Sequence, residues 1–269
     1  MADNGRGYRQ KYGEWALVTG ASAGIGLEFA KALAREGMSL VLTARREDRL
    51  YTLAAELQQA HRVNTRVVAV DLAAPDGADR LADAVADLPI AFLVNNAGFG
   101  YAGRFDKLAT ERLRSMVVVN CVVPVVLTSR ILPGMVKRGR GAVIVVGSVA
   151  GRQPLPLHAV YSATKGFDQL FGEGLWGELR GTGVDVLVLE PGPTATEFQA
   201  VAGESVGENH GEPAENVVRV AFDALGKQPS VISGWFNWVR ANAVRIVPRS
   251  TAVIIAKRVI EGQTPAELR

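Results

Sequence analysis

Short apolar runs alternate with longer stretches in which apolar residues recur every three or four positions, from Trp15 to Ile232. Trp15-Ala16-Leu17-Val18-Thr19, Ser39-Leu40-Val41-Leu42-Thr43, Arg66-Val67-Val68-Ala69-Val70, Ala91-Phe92-Leu93-Val94, Ala142 to Gly147 and Val184 to Leu189 read as strands, with a short seventh near Val231-Ile232. Most are apolar throughout, the mark of a parallel sheet covered on both faces. Between them, Leu27, Phe29, Ala30, Leu33 and Ala34 keep helical spacing. Further helical patterns span Glu47 to Ala60, Asp76 to Asp87 and Asp106 to Lys137, and another surrounds Tyr161. Strand and helix taken in turn predict an α/β fold with a doubly wound, seven-stranded, mostly parallel sheet and helices on both faces.

Composition narrows this picture. At 269 residues the chain suits one α/β domain, and 48% apolar with 21% charged residues is ordinary for a folded protein. The lone Cys121 rules out an intrachain disulfide and fits a small buried hydrophobe in a reducing compartment, so a cytoplasmic location is expected. His61, His158 and His210 lack ligand spacing; each reads as a surface or turn residue, and no metal site is expected. Residues 1–13 form a polar extension without an apolar run behind it. Met116 to Leu127 is interrupted by Asn120 and Pro124, so no membrane-spanning segment is expected. Net charge is only +3, with Arg240, Arg245, Arg249, Lys257, Arg258 and Arg269 set against Glu261 and Glu267 in the tail. This excess is too mild, and lacks the recognition elements, for a nucleic-acid partner.

The first strand runs straight into Gly20-Ala21-Ser22-Ala23-Gly24-Ile25-Gly26 and then a helix. Glycines let backbone approach a phosphate, and a helix N-terminus offers it free N–H groups. In this strand-turn-helix context the motif marks a dinucleotide site on a Rossmann fold, although the spacing differs from G-x-G-x-x-G and a bare turn is the plainer reading of a lone match. After the second strand stands Ala44-Arg45-Arg46, without the carboxylate that binds a ribose hydroxyl in an NAD site. Guanidinium groups bind phosphate well, so Arg45 and Arg46 fit the extra phosphate of NADP; otherwise they decorate the next helix. Asp71, before Leu72, either accepts from an adenine amino group or opens the following turn. Asn95-Asn96-Ala97-Gly98 ends the fourth strand, and Asn120 sits among valines, where a buried amide needs a polar partner. Ser148 follows the fifth strand. Tyr161 and Lys165 lie four residues apart on one helix face. A tyrosine titrates near 10, and a neighbouring cation draws that value toward working pH, giving an acid and base for a carbonyl oxygen.

These motifs, with Pro191-Gly192-Pro193-Thr194-Ala195-Thr196, resemble in kind and order those of the NADP-dependent short-chain dehydrogenase/reductase family, over about Glu14 to Gly234. Asn96 to Gly100 and Pro191 to Phe198 are most similar to a branch labelled DltE-like, and also to reductases of long acyl or steroid ketones. The resemblance implies that Tyr161 is the general acid and base, that Lys165 lowers its pKa and holds the nicotinamide ribose, and that Ser148 bonds the substrate oxygen. It implies that Asn120 holds a water leading from Lys165 to solvent. It places Gly20, Ser22, Ala23, Gly24, Ile25, Gly26, Arg45, Arg46, Asp71, Leu72, Asn96, Ala97, Gly98, Pro191, Gly192, Thr194 and Thr196 around NADP(H). Many NADP-using relatives have a basic residue at Ala23, so the phosphate would lean on Arg45 and Arg46.

The expected organisation is an extension at 1–13, a domain at 14–234 and an amphipathic basic tail at 235–269. Gly203 to Pro213 sits where the family carries a mobile lid. The tail packs on the domain, covers the substrate cleft, builds a subunit contact or lies against a membrane surface. The expected activity is reversible hydride transfer between NADP(H) and a carbonyl or secondary alcohol, with a medium or large apolar ketone reduced between walls at Phe99 to Phe105, Gln153 to His158 and Thr194 to Pro213. A homodimer or homotetramer is expected. A non-catalytic NADP-binding regulator and a membrane-associated scaffold are the alternatives.

Overall fold

The computed structural model describes residues 7–203, 211–243, 247–262 and 264–269. A short helix α1 (Tyr8–Tyr12) precedes β1 (Trp15–Thr19), α2 (Gly24–Arg35), β2 (Ser39–Ala44), α3 (Glu47–His61), β3 (Thr65–Ala69), α4 (Gly77–Ala84) and β4 (Ile90–Asn95). After a 3-10 turn at Phe105–Lys107 come α5 (Thr110–Val117), a π-helical turn (Val118–Val122), α6 (Val123–Arg138) and β5 (Gly141–Val146). A 3-10 turn (Val149–Arg152) leads to α7 (Ala159–Glu178), β6 (Val184–Glu190), β7 (Thr194–Ala195), α8 (Phe198–Ala202) and β8 (Glu212–Pro213). The chain closes with α9 (Ala214–Ala224), β9 (Ser230–Ile232), α10 (Trp235–Ala243) and α11 (Arg249–Glu261).

Seven strands form one sheet in the order β3-β2-β1-β4-β5-β6-β9, every neighbouring pair parallel. The first three step outward from β1, and β4 then lands on its other side, so the order reverses between β1 and β4. Alternation along each strand feeds two cores. Ala16 and Val18 of β1 and Ile144 of β5 pack under α2 and α9, through Phe29, Leu33, Val217 and Ala221. Leu17, Leu93 and Val143 face the other way, under α4 and α6, through Leu81, Val123, Leu127 and Ile131. This is the doubly wound architecture the apolar runs predict.

Three expectations change. The single helix from Asp106 to Lys137 is instead a 3-10 turn followed by a continuous helical stretch, Thr110–Arg138, widened at Val118–Val122 into a π turn. At 29 residues, with an 18-residue window of mean hydropathy 1.9, that stretch is by length and composition long and apolar enough to cross a membrane, which the interruptions at Asn120 and Pro124 had argued against. In this fold its Val119, Val123, Leu127, Ile131 and Met135 pack into the second core, and Asn120 turns its amide to neighbouring groups described below. The polar extension is not merely appended: the fully buried Tyr12 meets Phe92 edge-on at 5.6 Å, and Tyr8 meets Phe222 at 4.8 Å. The alternation of polar and aromatic residues in that short segment hid its one apolar face.

The tail folds back on the body. α10 packs against β9 and the Val149–Arg152 turn. The last residues are held by Arg104, whose backbone N–H donates to the Leu268 carbonyl at 2.7 Å, and by Lys107, whose Nζ donates to the Glu267 and Arg269 carbonyls at 3.0 and 2.8 Å. Of the expected lid, residues 204–210 lie outside the described residues; Glu212–Pro213 pairs with Thr194–Ala195 as a second, two-stranded sheet. Arg245 and Ile246 of the tail lie outside them too.

Candidate active site

A cavity of about 520 Å³ opens at the carboxyl ends of the strands, where the sheet order reverses. Its floor on one side is the turn after β1. Gly20 and Gly24 sit in the left-handed region, φ +69° and +56°, where a side chain would be strained. A Cβ on Gly26 would stand 2.4 Å from the Gly20 carbonyl oxygen, so this glycine lets α2 close onto the turn and does not itself line the cavity. The first turn of α2 has no side-chain cap, which leaves its N–H groups facing the glycine turn. The Thr19 hydroxyl donates to the Val94 carbonyl and accepts from the Asn96 and Ala97 N–H groups, both at 2.9 Å, while Asn96 Nδ2 donates to the Thr19 carbonyl at 2.8 Å. These bonds tie the ends of β1 and β4 together beneath the cavity.

Ser22, Ala23, Ile25, Arg45, Arg46, Asp71, Leu72, Asn96, Ala97 and Gly98 all line this half. The two arginines differ. Arg46 donates to Ser22 Oγ at 3.1 Å and to Glu197 at 2.6 Å, and Arg49 reaches the other oxygen of Glu197 at 2.8 Å. Arg45 is exposed and makes no ion pair among the described residues. Asp71 accepts from the Ala73 N–H at 3.0 Å, which makes it a turn former with a face toward the cleft. The uncapped helix end, the glycine surface and an uncommitted guanidinium fit the phosphates of a dinucleotide.

The other half holds Tyr161, Lys165 and Ser148, with Pro191, Gly192, Thr194 and Thr196 along its edge. α7 places Tyr161 and Lys165 one turn apart on its cavity face. Lys165 is almost wholly buried; its Nζ donates to the Val146 carbonyl and to Asp168 Oδ2, both at 2.8 Å. Burial works against the ammonium, but the carboxylate of Asp168, with Tyr161 and Cys121, outweighs it and leaves the Lys165 pKa above its ordinary value. Ser148 Oγ accepts from the Ala150 N–H at 3.1 Å and donates to the Pro191 carbonyl at 3.4 Å, which fixes the hydroxyl at the end of β5. Asn120 does not line the cavity. From the π turn its Oδ1 accepts from the Phe99 N–H, and its Nδ2 donates to the Phe99 carbonyl and to Thr164 Oγ1, all at 3.0–3.1 Å. Its buried partners are therefore the β4 loop and α7, and no local back-bond is needed.

Other features of the site depart from expectation or were not foreseen. His158, expected at the end of a pocket wall, does line the cavity, but it is buried and faces Tyr161 edge-on at 6.1 Å, contrary to its reading as a surface or turn residue; burial lowers its pKa to about 4. Its place after the apolar sequence Leu155-Pro156-Leu157 was the available signal. Asp168, three residues past Lys165, lay on the same helical stripe. Arg152 and the fully buried Glu190 form a two-pronged ion pair that ties the turn after β5 to the end of β6. From the tail, Asn237, Arg240, Ala241, Val259 and Ile260 close the cavity, so of the tail's expected placements it takes the one over the cleft; which residues do so no spacing could give.

A nucleotide cradle facing a tyrosine, a lysine and a serine on a doubly wound sheet defines a nicotinamide-dependent oxidoreductase. The chain belongs to the short-chain dehydrogenase family, whose model matches residues 14–206. It is similar to the human very-long-chain 3-oxoacyl-CoA reductase, 33% identical over 262 residues that cover 91% of this chain and 83% of the relative. In structure it is similar to a 7β-hydroxysteroid dehydrogenase, with TM-score 0.85 and 31% identity over 92% of this chain and 98% of that one. It is also similar to a short-chain dehydrogenase from Sphingobium yanoikuyae in complex with NADPH, with TM-score 0.78 and 30% identity over 86% and 92%. The expected tie to a DltE-like branch is not borne out by these relatives. The stretches that suggested it, Asn96 to Gly100 and Pro191 to Phe198, line the cavity at almost every position and so answer to its contents more than to any branch.

Proposed function

We propose that this oxidoreductase is an NADP(H)-dependent reductase of medium or large apolar ketones, able to run in reverse on the secondary alcohols. The observation that carries the reading is that Tyr161, the paired Lys165 and Ser148 line the same cavity as the glycine turn and the uncommitted Arg45. A nicotinamide bound there supplies the hydride. Tyr161 gives its phenolic proton to the carbonyl oxygen as that oxygen gains charge, and Lys165 makes the resulting tyrosinate easier to form. Ser148 donates a hydrogen bond to the same oxygen, sharing the charge and fixing the carbonyl. The Lys165 ammonium also has a donor to spare. Two of its three N–H groups are engaged by Val146 and Asp168, and the third is available to a ribose hydroxyl.

The substrate class follows from the walls. Phe99, Leu155, Phe198, Val201, Val259 and Ile260 give an apolar surface, with Gln153, His158, Gln199, Asn237 and Arg240 as the polar groups among them. The Phe198 ring lies 5.5 Å from that of Tyr161 and shields the proton-transfer site. The names of the relatives, an acyl-CoA reductase and a hydroxysteroid dehydrogenase, support a large apolar substrate, and the NADPH-bound neighbour supports the cofactor. Tyr161→Phe tests the assignment. NADPH oxidation against a panel of bulky ketones should fall by at least ~10³-fold while NADPH affinity stays within about threefold. Turnover near that of the parent protein would overturn the role of the phenol.

A further inference from the structure

We propose that Asp168 is a positioning residue of this site: it keeps Lys165 a charged ammonium, held against the Val146 carbonyl, so that Tyr161 has a cation beside it over the working pH range. Asp168 is 1% exposed and Lys165 5%. One carboxylate oxygen, Oδ2, accepts from Nζ at 2.8 Å, and the other, Oδ1, has no hydrogen-bond partner. A buried carboxylate with half its acceptor capacity unused is a costly arrangement, and the ammonium is the group it serves. Along α7 the order is Tyr161, Lys165, Asp168, so the cation stands between the phenol and the carboxylate.

The groups facing this pair are few. α7 contributes Tyr161, Lys165 and Asp168, and the π turn contributes Asn120, which is neutral, and Cys121, whose thiol burial and Asp168 push up to about 11. β5 offers only the Val146 carbonyl. In the turn after β5, Arg152 is neutralised by Glu190, and His158 at the start of α7 is uncharged at neutral pH. Among the described residues, Asp168 is therefore the single anion close to Lys165. Without it, burial dominates at the ammonium, and a buried lysine can lose on the order of 3 units or more of pKa. Lys165 would then release its proton before Tyr161 does, and the phenol would ionise with no cation at its side.

This rests on the catalytic pairing proposed above but can be read without turnover. Tyrosinate absorbance is titrated for the wild type and for Asp168→Asn, each against its own Tyr161→Phe blank, so that only Tyr161 is seen. In Asp168→Asn the Tyr161 transition should move to higher pH by about one unit or more. Simple removal of a nearby negative charge would move it the other way, and so would identify Asp168 as a bystander. Asp168→Glu should restore the wild-type transition, and in a Lys165→Met background Asp168→Asn should add no alkaline shift. An unchanged or acid-shifted transition in folded Asp168→Asn overturns the proposal. Should that variant not fold, Asp168→Ser is titrated in its place with the same two outcomes. Failure of every ketone in the turnover assay would count against the proposed function, whereas the titration decides the role of Asp168 on its own.

Discussion

Two side chains show how far residue chemistry reaches here. Arg45 and Arg46 are neighbours in sequence, with Arg45 nearer the strand end, and Arg46 is committed to Ser22 and Glu197 while Arg45 is not. Losing one charge-assisted contact to a phosphate costs about 1.5–3 kcal/mol. Arg45→Ala should therefore weaken NADPH binding by roughly 10- to 100-fold and leave NADH almost unchanged, as fluorescence titration with both nucleotides would show. An unaltered ratio of the two affinities would place the phosphate elsewhere. His158 carries a pH dependence of its own. Its pKa falls from 6.5 to about 4 because burial disfavours the imidazolium. The unfolded chain takes up a proton below 6.5 and the folded one does not, so the stabilisation is complete above 6.5 and is lost as pH falls toward 4. The loss should be on the order of 3 kcal/mol in urea unfolding, and a His158→Gln variant should lack that part of the slope. The tyrosine, lysine and glycine positions stood out in the chain because each belongs to a short fixed spacing, and Ser148 because it ends a strand. The burial of His158, itself placed on a pocket wall, and the part played by Asp168 did not, because burial decides their chemistry and burial is a property of the folded whole.

At the scale of elements, the strands were easy to read and the connections were not. Buried parallel strands are continuous apolar runs, so Val143 to Val146 and Val186 to Leu189 could hardly be anything else. The helical stretch from Thr110 to Arg138 misled because its apolar residues fit one period on either side of Asn120 but not across it. The ion pair between Arg152 and Glu190 joins two elements nearly forty residues apart, and nothing local announces it. It braces the turn that follows Ser148 against the strand that leads to Pro191. Removing Arg152 leaves the buried Glu190 carboxylate alone, so Arg152→Ala should cost about 3 kcal/mol or more, measured by denaturant unfolding. The double replacement Arg152→Met with Glu190→Leu should recover most of that stability while lowering turnover if the turn after Ser148 relaxes.

The whole molecule is a sheet between two cores, and the tail is part of the cleft at its carboxyl edge. α10 presents Asn237 and Ala241 to the cavity and turns Trp235, Phe236 and Trp238 outward. On α11, Ala252 and Ala256 are buried while Ile254 and Ile255 are exposed. A chain ending at Gly234 keeps the glycine turn, the arginines and Tyr161, so it should still bind NADPH if folded. It should raise KM for bulky ketones by roughly 10-fold or more, the loss expected for two or more apolar contacts, and leave small ketones less affected. Equal effects on both would mean that the tail serves stability alone. The basic excess of the tail was visible in the sequence and a cover over the cleft was one of its readings, but which residues form the wall was not, since Val259 and Ile260 meet the cleft only after the chain has crossed the domain.

The π turn at Val118–Val122 holds one residue more than a regular helical turn, and that surplus sets Asn120 against Phe99 and Thr164. Each residue of a helix advances the next by about 100°. Excising one position there would rotate everything downstream by that amount, swinging Val123, Leu127 and Ile131 off the sheet unless the amide gave up its place. Length in this segment is thus locked to chemistry: a gain or loss of a single codon reaches the lysine's neighbourhood and the packing of a whole helix in the same stroke.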